Sequence, residues 1–203
     1  MKTQLPPDRT ERATSNPILF LLEDDACTGR KYAQIAKEEG WHVIHVRHLQ
    51  EAFEHAASIR KITLFVIDLM LPGNLLDLEE VEKLLQKKAK IRRRNMNGAN
   101  STNLDVQQLS RSFVQLDQIE HSIRERLKFD GGIEFLKEAI QLNWMAEATV
   151  VVFSARLPAD ANLAGKLDEL KRAIPDLILM PKPVTAQSVR ELLRKVACVE
   201  VQN

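Results

Sequence analysis

The chain has 203 residues, of which 44% are hydrophobic and 28% charged, with a formal net charge of +1. That length suits one full domain plus an elaboration or two small domains, and the hydrophobic content is ordinary for a soluble globule. The near-neutral balance argues neither for nor against an acidic partner, and no apolar run approaches the roughly 20 residues needed to span a bilayer.

Residues 1–16 read as a flexible polar tail without the apolar core of a secretory signal. Ile18 to Leu22 (ILFLL) is a buried-strand candidate that ends in the acid cluster Glu23, Asp24 and Asp25. A helix is predicted from about Cys27 to Glu39, stopped by Gly40. Trp41 to Val46 reads as a strand, and Leu49 to Ile59 has apolar residues at helical spacing. Leu64 to Ile67 is a short apolar run that ends abruptly at Asp68, with a turn signal at Pro72-Gly73. Such a run suggests a strand buried on both faces, as in a parallel sheet.

Further along, Ile133 to Leu142 is predicted helical, and Ala148 to Phe153 is a strand ending in Ser154-Ala155. Leu163 to Ala173 is helical, and Leu177 to Met180 is a strand ending in Pro181-Lys182-Pro183. Thr185 can cap a last helix running to about Cys198. Strands alternating with helices of these lengths indicate a parallel, doubly wound α/β sheet. Right-handed crossovers then bring every strand's carboxyl end to one edge. That edge collects Glu23, Asp24, Asp68, Ser154 and Lys182. Three carboxylates placed together repel one another unless a cation neutralises them, and an all-oxygen donor set favours Mg²⁺. A lysine and a hydroxyl opposite them would complete a pocket for a phosphoryl group.

With ILFLLEDD, VIDLMLPG, VVFSA and the Lys-Pro of LMPKPV in this order, the chain resembles response-regulator receiver domains of two-component signalling. The match covers about 17–73 and 130–200. The resemblance implies a flavodoxin-like five-stranded sheet of order 2-1-3-4-5. It implies that Asp68 accepts a phosphoryl group from a phosphohistidine on a sensor histidine kinase or phosphotransfer protein. By the same resemblance Mg²⁺ is held by Asp24 and Asp68, by the Met70 backbone carbonyl, and by Glu23 largely through water. Ser154 and Lys182 then engage the phosphoryl oxygens. No enzymatic activity is implied beyond phosphotransfer and autodephosphorylation. Two cysteines far apart, Cys27 and Cys198, suggest no disulfide framework and hence a cytoplasmic setting. The chain ends soon after its last predicted helix, so a stand-alone receiver is expected.

Two departures from the family pattern stand out. Leu179 occupies the usual position of an aromatic switch residue. The second departure is an insertion at 75–129, which interrupts a receiver unit of 17–203. Within it, Leu75 to Arg94 carries Leu78, Val81 and Leu85 at helical spacing, with acids first and bases last, as a helix dipole favours. Asn95 to Asn103 reads as a polar loop. Val106, Leu109, Phe113, Leu116, Ile123 and Leu127 then form a coiled-coil-like seam interrupted at Glu120. The expectation is an antiparallel helical hairpin that forms an interface, by self-association or by docking a partner, with simple packing as the plainer reading. Nucleic-acid binding through Lys87, Lys88, Lys90, Arg92, Arg93 and Arg94 is disfavoured, because acids offset the run and no aromatic residues interleave.

His42, His45 and His48 read as surface histidines rather than zinc ligands. Cys27 reads as filler rather than as a reactive thiol, and Pro183 as following a cis bond. A phosphorylation-independent scaffold or dimerisation module is the alternative function. Haloacid-dehalogenase-like phosphatases also place an aspartate after a strand, but Met70 stands where they need a second acid.

Overall fold

A computed structural model describes residues 16–59, 61–99, 106–128, 130–155, 157 and 161–200, so the expected tail lies almost entirely outside the described residues. The elements in chain order are β1 (Ile18–Leu22), α1 (Ala26–Glu38), β2 (His42–Val46), α2 (Leu49–Ser58), β3 (Leu64–Asp68) and β4 (Leu71–Pro72). Next come α3 (Leu75–Ala99), α4 (Val106–Arg126), β5 (Leu127–Lys128) and α5 (Gly131–Gln141). The chain closes with β6 (Thr149–Ser154), α6 (Ala161–Ala173), β7 (Ile178–Pro181) and α7 (Ala186–Glu200). The main sheet has five parallel strands in the order β2-β1-β3-β6-β7, which is the expected doubly wound order.

Strands β1, β3 and β6 are apolar except at their ends because both faces of the sheet are covered there. Phe20, Leu22, Phe65, Ile67, Val150 and Val152 face one core, built with α2, α5 and α6. Leu19, Leu21, Leu64, Val66, Val151 and Phe153 face the other, against Tyr32 and Ile35 of α1 and Val189 and Leu193 of α7. Phe135 of α5 anchors the first core, stacked on Phe20 with ring centroids 5.7 Å apart. Truncating so buried an aromatic to alanine costs about 3–5 kcal/mol. Caps begin and end the helices where polar side chains allow: Asp25 accepts the Thr28 amide at 2.6 Å, and Thr185 accepts the Ser188 amide at 3.1 Å. Gly40, with φ of 84°, ends α1 in the left-handed region that glycine adopts freely.

The insertion is an antiparallel pair of helices rooted in a small ribbon that periodicity did not predict. Leu71 and Pro72 pair antiparallel with Lys128 and Leu127, which brings the two ends of the insertion together. The Gly73 carbonyl also accepts the Gln50 amide of α2 at 3.1 Å. Helix α3 continues to Ala99, past Arg94, because α4 packs beside it and supplies support that local propensity lacks. The expected loop is therefore helical over Asn95 to Ala99, and its remainder lies outside the described residues.

The expected seam of α4 is also corrected. Phe113 points to solvent at 65% exposure, whereas Ile119 is buried at 4%. Leu109, Ser112, Leu116, Ile119 and Ile123 keep an unbroken three-four alternation on the covered side, with Ile119 fully buried and the others half-buried. Glu120 stands on the flank, where it pairs with Lys88 at 2.6 Å. In α3, Leu85 is exposed and Ile91 is buried with Leu78 and Val81. Among the described residues no helix is long and apolar enough to cross a membrane.

Candidate functional site

The parallel sheet places the carboxyl ends of β1, β3, β6 and β7 on one rim, and the expected residues arrive there. Glu23 follows β1, its backbone amide bonded to the Val46 carbonyl at 3.1 Å and its side chain buried. Asp24 lies next to it and is half-buried, while Asp25 turns aside to cap α1. Asp68 ends β3, buried, with Oδ1 accepting the Met70 amide at 3.3 Å. Carboxylate oxygens of Glu23, Asp24 and Asp68 all lie within 4.8 Å of one another.

Lys182 closes the group from the end of β7. Its ammonium donates to Asp68 Oδ2 at 2.5 Å and to Glu23 Oε2 at 2.7 Å. Its backbone amide donates to the Ser154 carbonyl at 2.9 Å, which ties the loop after β7 to the end of β6. Ser154 is buried at that strand end, one residue beyond Phe153, the partner of Asp68 in the sheet. The Lys182–Pro183 peptide bond is cis, as expected. Leu179, two residues from the end of β7, is half-buried and packs against the core shared with α5 and α6.

Charge in this cluster is out of balance. Burial pushes the Glu23 carboxyl up to about 7, with Lys182 opposing and Asp68 reinforcing the rise. Burial and the Asp68 charge push Asp24 up to about 6 against the pull of Lys182. Burial alone would lower the Lys182 pKa, but the carboxylates of Asp68 and Glu23 outweigh it and hold the ammonium above its ordinary range. One ammonium does not neutralise three carboxylates. The all-oxygen donor set and its unmet negative charge fit a hard divalent cation such as Mg²⁺.

Two histidines differ from the sequence expectation. His48 is buried and caps α2, its Nδ1 accepting the Glu51 amide at 3.2 Å. His45 is half-buried and donates from Nε2 to the Glu23 carbonyl at 2.9 Å, its burial favouring the neutral ring. Gly29 makes room for that ring, since a Cβ there would lie 2.2 Å from His45 Nε2. These histidines read as surface residues in the sequence because histidine is not among the usual helix caps and cross-strand support leaves no local pattern. Cys27 is exposed and fills no core space.

The sequence reading also missed Arg47, which follows β2 on the same rim. Its Nε and one terminal nitrogen donate to the Asp24 carbonyl at 3.0 and 2.6 Å. The only signal was its position, directly after a strand whose carboxyl end faces the acids.

The sequence matches no family model and no curated protein. Solved structures do match. A response regulator receiver domain protein (CheY-like) from Methanospirillum hungatei JF-1 aligns with a TM-score of 0.54 at 14% identity, covering 93% of this chain and 100% of that one. The signal receiver domain of an HD domain-containing protein from Pseudomonas fluorescens Pf-5 gives 0.54 at 13% identity over 93% and 100%. The receiver domain of Francisella response regulator 1452 gives 0.51 at 14% identity over 91% and 99%. At these identities the likeness is one of fold. The chain has the fold of a response-regulator receiver domain, a CheY-like five-stranded parallel sheet, here carrying an inserted helical hairpin.

Proposed function

We propose that this protein is a phosphorelay response regulator whose receiver unit, 17–203 interrupted by 75–129, accepts a phosphoryl group on Asp68. The observation that carries this reading is the Lys182 ammonium held 2.5 Å from Asp68 Oδ2 beside two further acids. An Asp68 carboxylate oxygen attacks the phosphorus of a phosphohistidine on a sensor kinase or phosphotransfer protein. The P–O bond forms as the P–N bond breaks, and the imidazole nitrogen leaves with the electron pair. Glu23, Asp24, Asp68 and the Met70 backbone carbonyl would hold Mg²⁺, which when bound supplies positive charge to the phosphoryl oxygens. Lys182 exchanges its carboxylate contact for a phosphoryl oxygen, and the Ser154 hydroxyl engages another. Both residues bind the phosphorylated form better than the bare carboxylate, and this differential affinity shifts the loops after β6 and β7. The inserted hairpin carries the output to a protein partner or a second copy, in a cytoplasmic setting.

Incubating the full chain with a small acyl phosphate and Mg²⁺ should add one phosphoryl group by intact mass, and Asp68→Asn should abolish the adduct. A wild-type protein that gains no adduct under these conditions sinks the reading. Leu179 favours a second reading, a phosphorylation-independent scaffold, because it removes the aromatic rotamer that would report on the site. Calorimetric titration with Mg²⁺ separates the two, since a silent scaffold has no use for the ion.

A further inference from the structure

Asp24 is gripped from behind by a residue that also reaches the insertion. The guanidinium of Arg47 donates twice to the Asp24 backbone carbonyl, at 3.0 and 2.6 Å, and one of the same nitrogens donates to Glu82 Oε1 of α3 at 2.7 Å. The Arg47 backbone is itself held, its amide donating to Glu51 Oε2 at 3.1 Å. A planar guanidinium can satisfy a carbonyl and a carboxylate together, which a lysine ammonium on a flexible stem does poorly. Apart from the ribbon of β4 and β5, this is a direct polar link from the hairpin to the rim that carries the acids.

We propose that Arg47 is a positioning residue that ties the Asp24 loop to α3, so that filling the acid site and seating the hairpin are linked. The proposal rests on the reading of that site as a cation-dependent phosphoacceptor. A cation drawn to the Asp24 carboxylate holds the Asp24 backbone in place, which keeps Arg47 set against Glu82 and steadies α3. By reciprocity, loosening Glu82 lowers the affinity of the acid site by the same factor. The side chains of Arg47 and Glu82 remain 27% and 44% exposed, so solvent screens the pair and the effect is modest.

The test uses the full chain with Mg²⁺ alone as the probe. Calorimetry reads affinity, and amide hydrogen exchange reads residues 23–30 and 75–96. Glu82→Gln, which leaves every proposed ligand in place, should weaken Mg²⁺ binding about two- to fivefold. In the wild type, Mg²⁺ should slow exchange in α3, and Glu82→Gln should remove that response. Arg47→Gln should have the larger effect, and adding Glu82→Gln to it should change nothing further, because the two act as one unit. Wild-type affinity and exchange response in Glu82→Gln would overturn the proposal, as would additive effects in the double variant. A wild type that binds no Mg²⁺ defeats the phosphoacceptor reading before any substitution is made. The link is then decided by metal-free exchange, where Glu82→Gln must speed residues 23–30 or the link is refuted.

Discussion

Gly132 lies directly on the backbone of Asp68: a Cβ placed there would sit 2.2 Å from the Asp68 carbonyl oxygen and 2.9 Å from Leu69 Cα. Its amide donates to the Leu69 carbonyl at 3.1 Å, so the chain leaving the insertion is stitched to the strand end that carries Asp68. The neighbours are backbone atoms that cannot swing aside. Gly132→Ala should therefore cost about 1–3 kcal/mol and displace Asp68. Gly131→Ala should cost less, because its Cβ would meet side-chain atoms of Leu49 and Leu71 at 3.2 Å, where small adjustments suffice. Urea denaturation of the two variants checks the order, and a Gly132→Ala protein as stable as its parent would contradict the packing.

Lys182 is the only cation bonded to the buried acids among the described residues. Lys182→Met leaves Glu23 and Asp68 with no partner charge, and breaking a buried pair in this way costs about 3–5 kcal/mol. The loss should be larger near pH 8 than near pH 5, because Glu23, pushed up to about 7 in the fold, carries a proton at the lower pH and no longer depends on the ammonium. Denaturant midpoints at the two pH values, with and without Mg²⁺, measure this. The ion should restore part of the stability at pH 8, and an equal loss at both pH values would contradict the account.

Without a cation, the protein should lose stability as pH rises through the acid cluster. Glu23 and Asp24 titrate at about 7 and about 6 in the fold, above their ordinary 4.5 and 3.8. Folding thus favours their protonated forms. That contribution is complete below about pH 4 and disappears as pH rises through the folded values, at about 1.4 kcal/mol for each pH unit by which folding raises the pKa. In EDTA, the Tm should fall between about pH 5 and pH 8 relative to the same protein in saturating Mg²⁺. Mg²⁺ affinity should climb over the same interval, because bound protons must leave. Parallel Tm curves in EDTA and Mg²⁺ would contradict this.

The hairpin should depend on Ile119 and not on Phe113. Ile119→Ala empties a buried position between the helices and should cost about 2–4 kcal/mol. Phe113→Ala trims an exposed ring and should shift stability by no more than about 0.5 kcal/mol. Hydrogen exchange across 75–126 locates the effect. If Phe113→Ala loosens the helices and Ile119→Ala does not, the seam is the one the periodicity suggested.

The sheet and most of its rim were legible in the chain alone. ILFLL, LFVID and TVVVF are apolar at every position but their ends, a local mark of strands covered on both faces. Once strands are parallel, the residue after each one lands on a common edge, so Glu23, Asp24, Asp68, Ser154 and Lys182 could be gathered without coordinates. What escaped depends on contacts that local sequence does not encode. Phe113 and Ile119 are both plausible seam residues until α3 chooses a side. The β4 and β5 ribbon exists only once the hairpin has closed. Arg47 and Glu82 are 35 residues apart and meet because α3 leaves the rim at one particular angle. Strand burial repeats along the chain and is written there, whereas the seating of the insertion is decided by packing between surfaces that meet only in the folded protein.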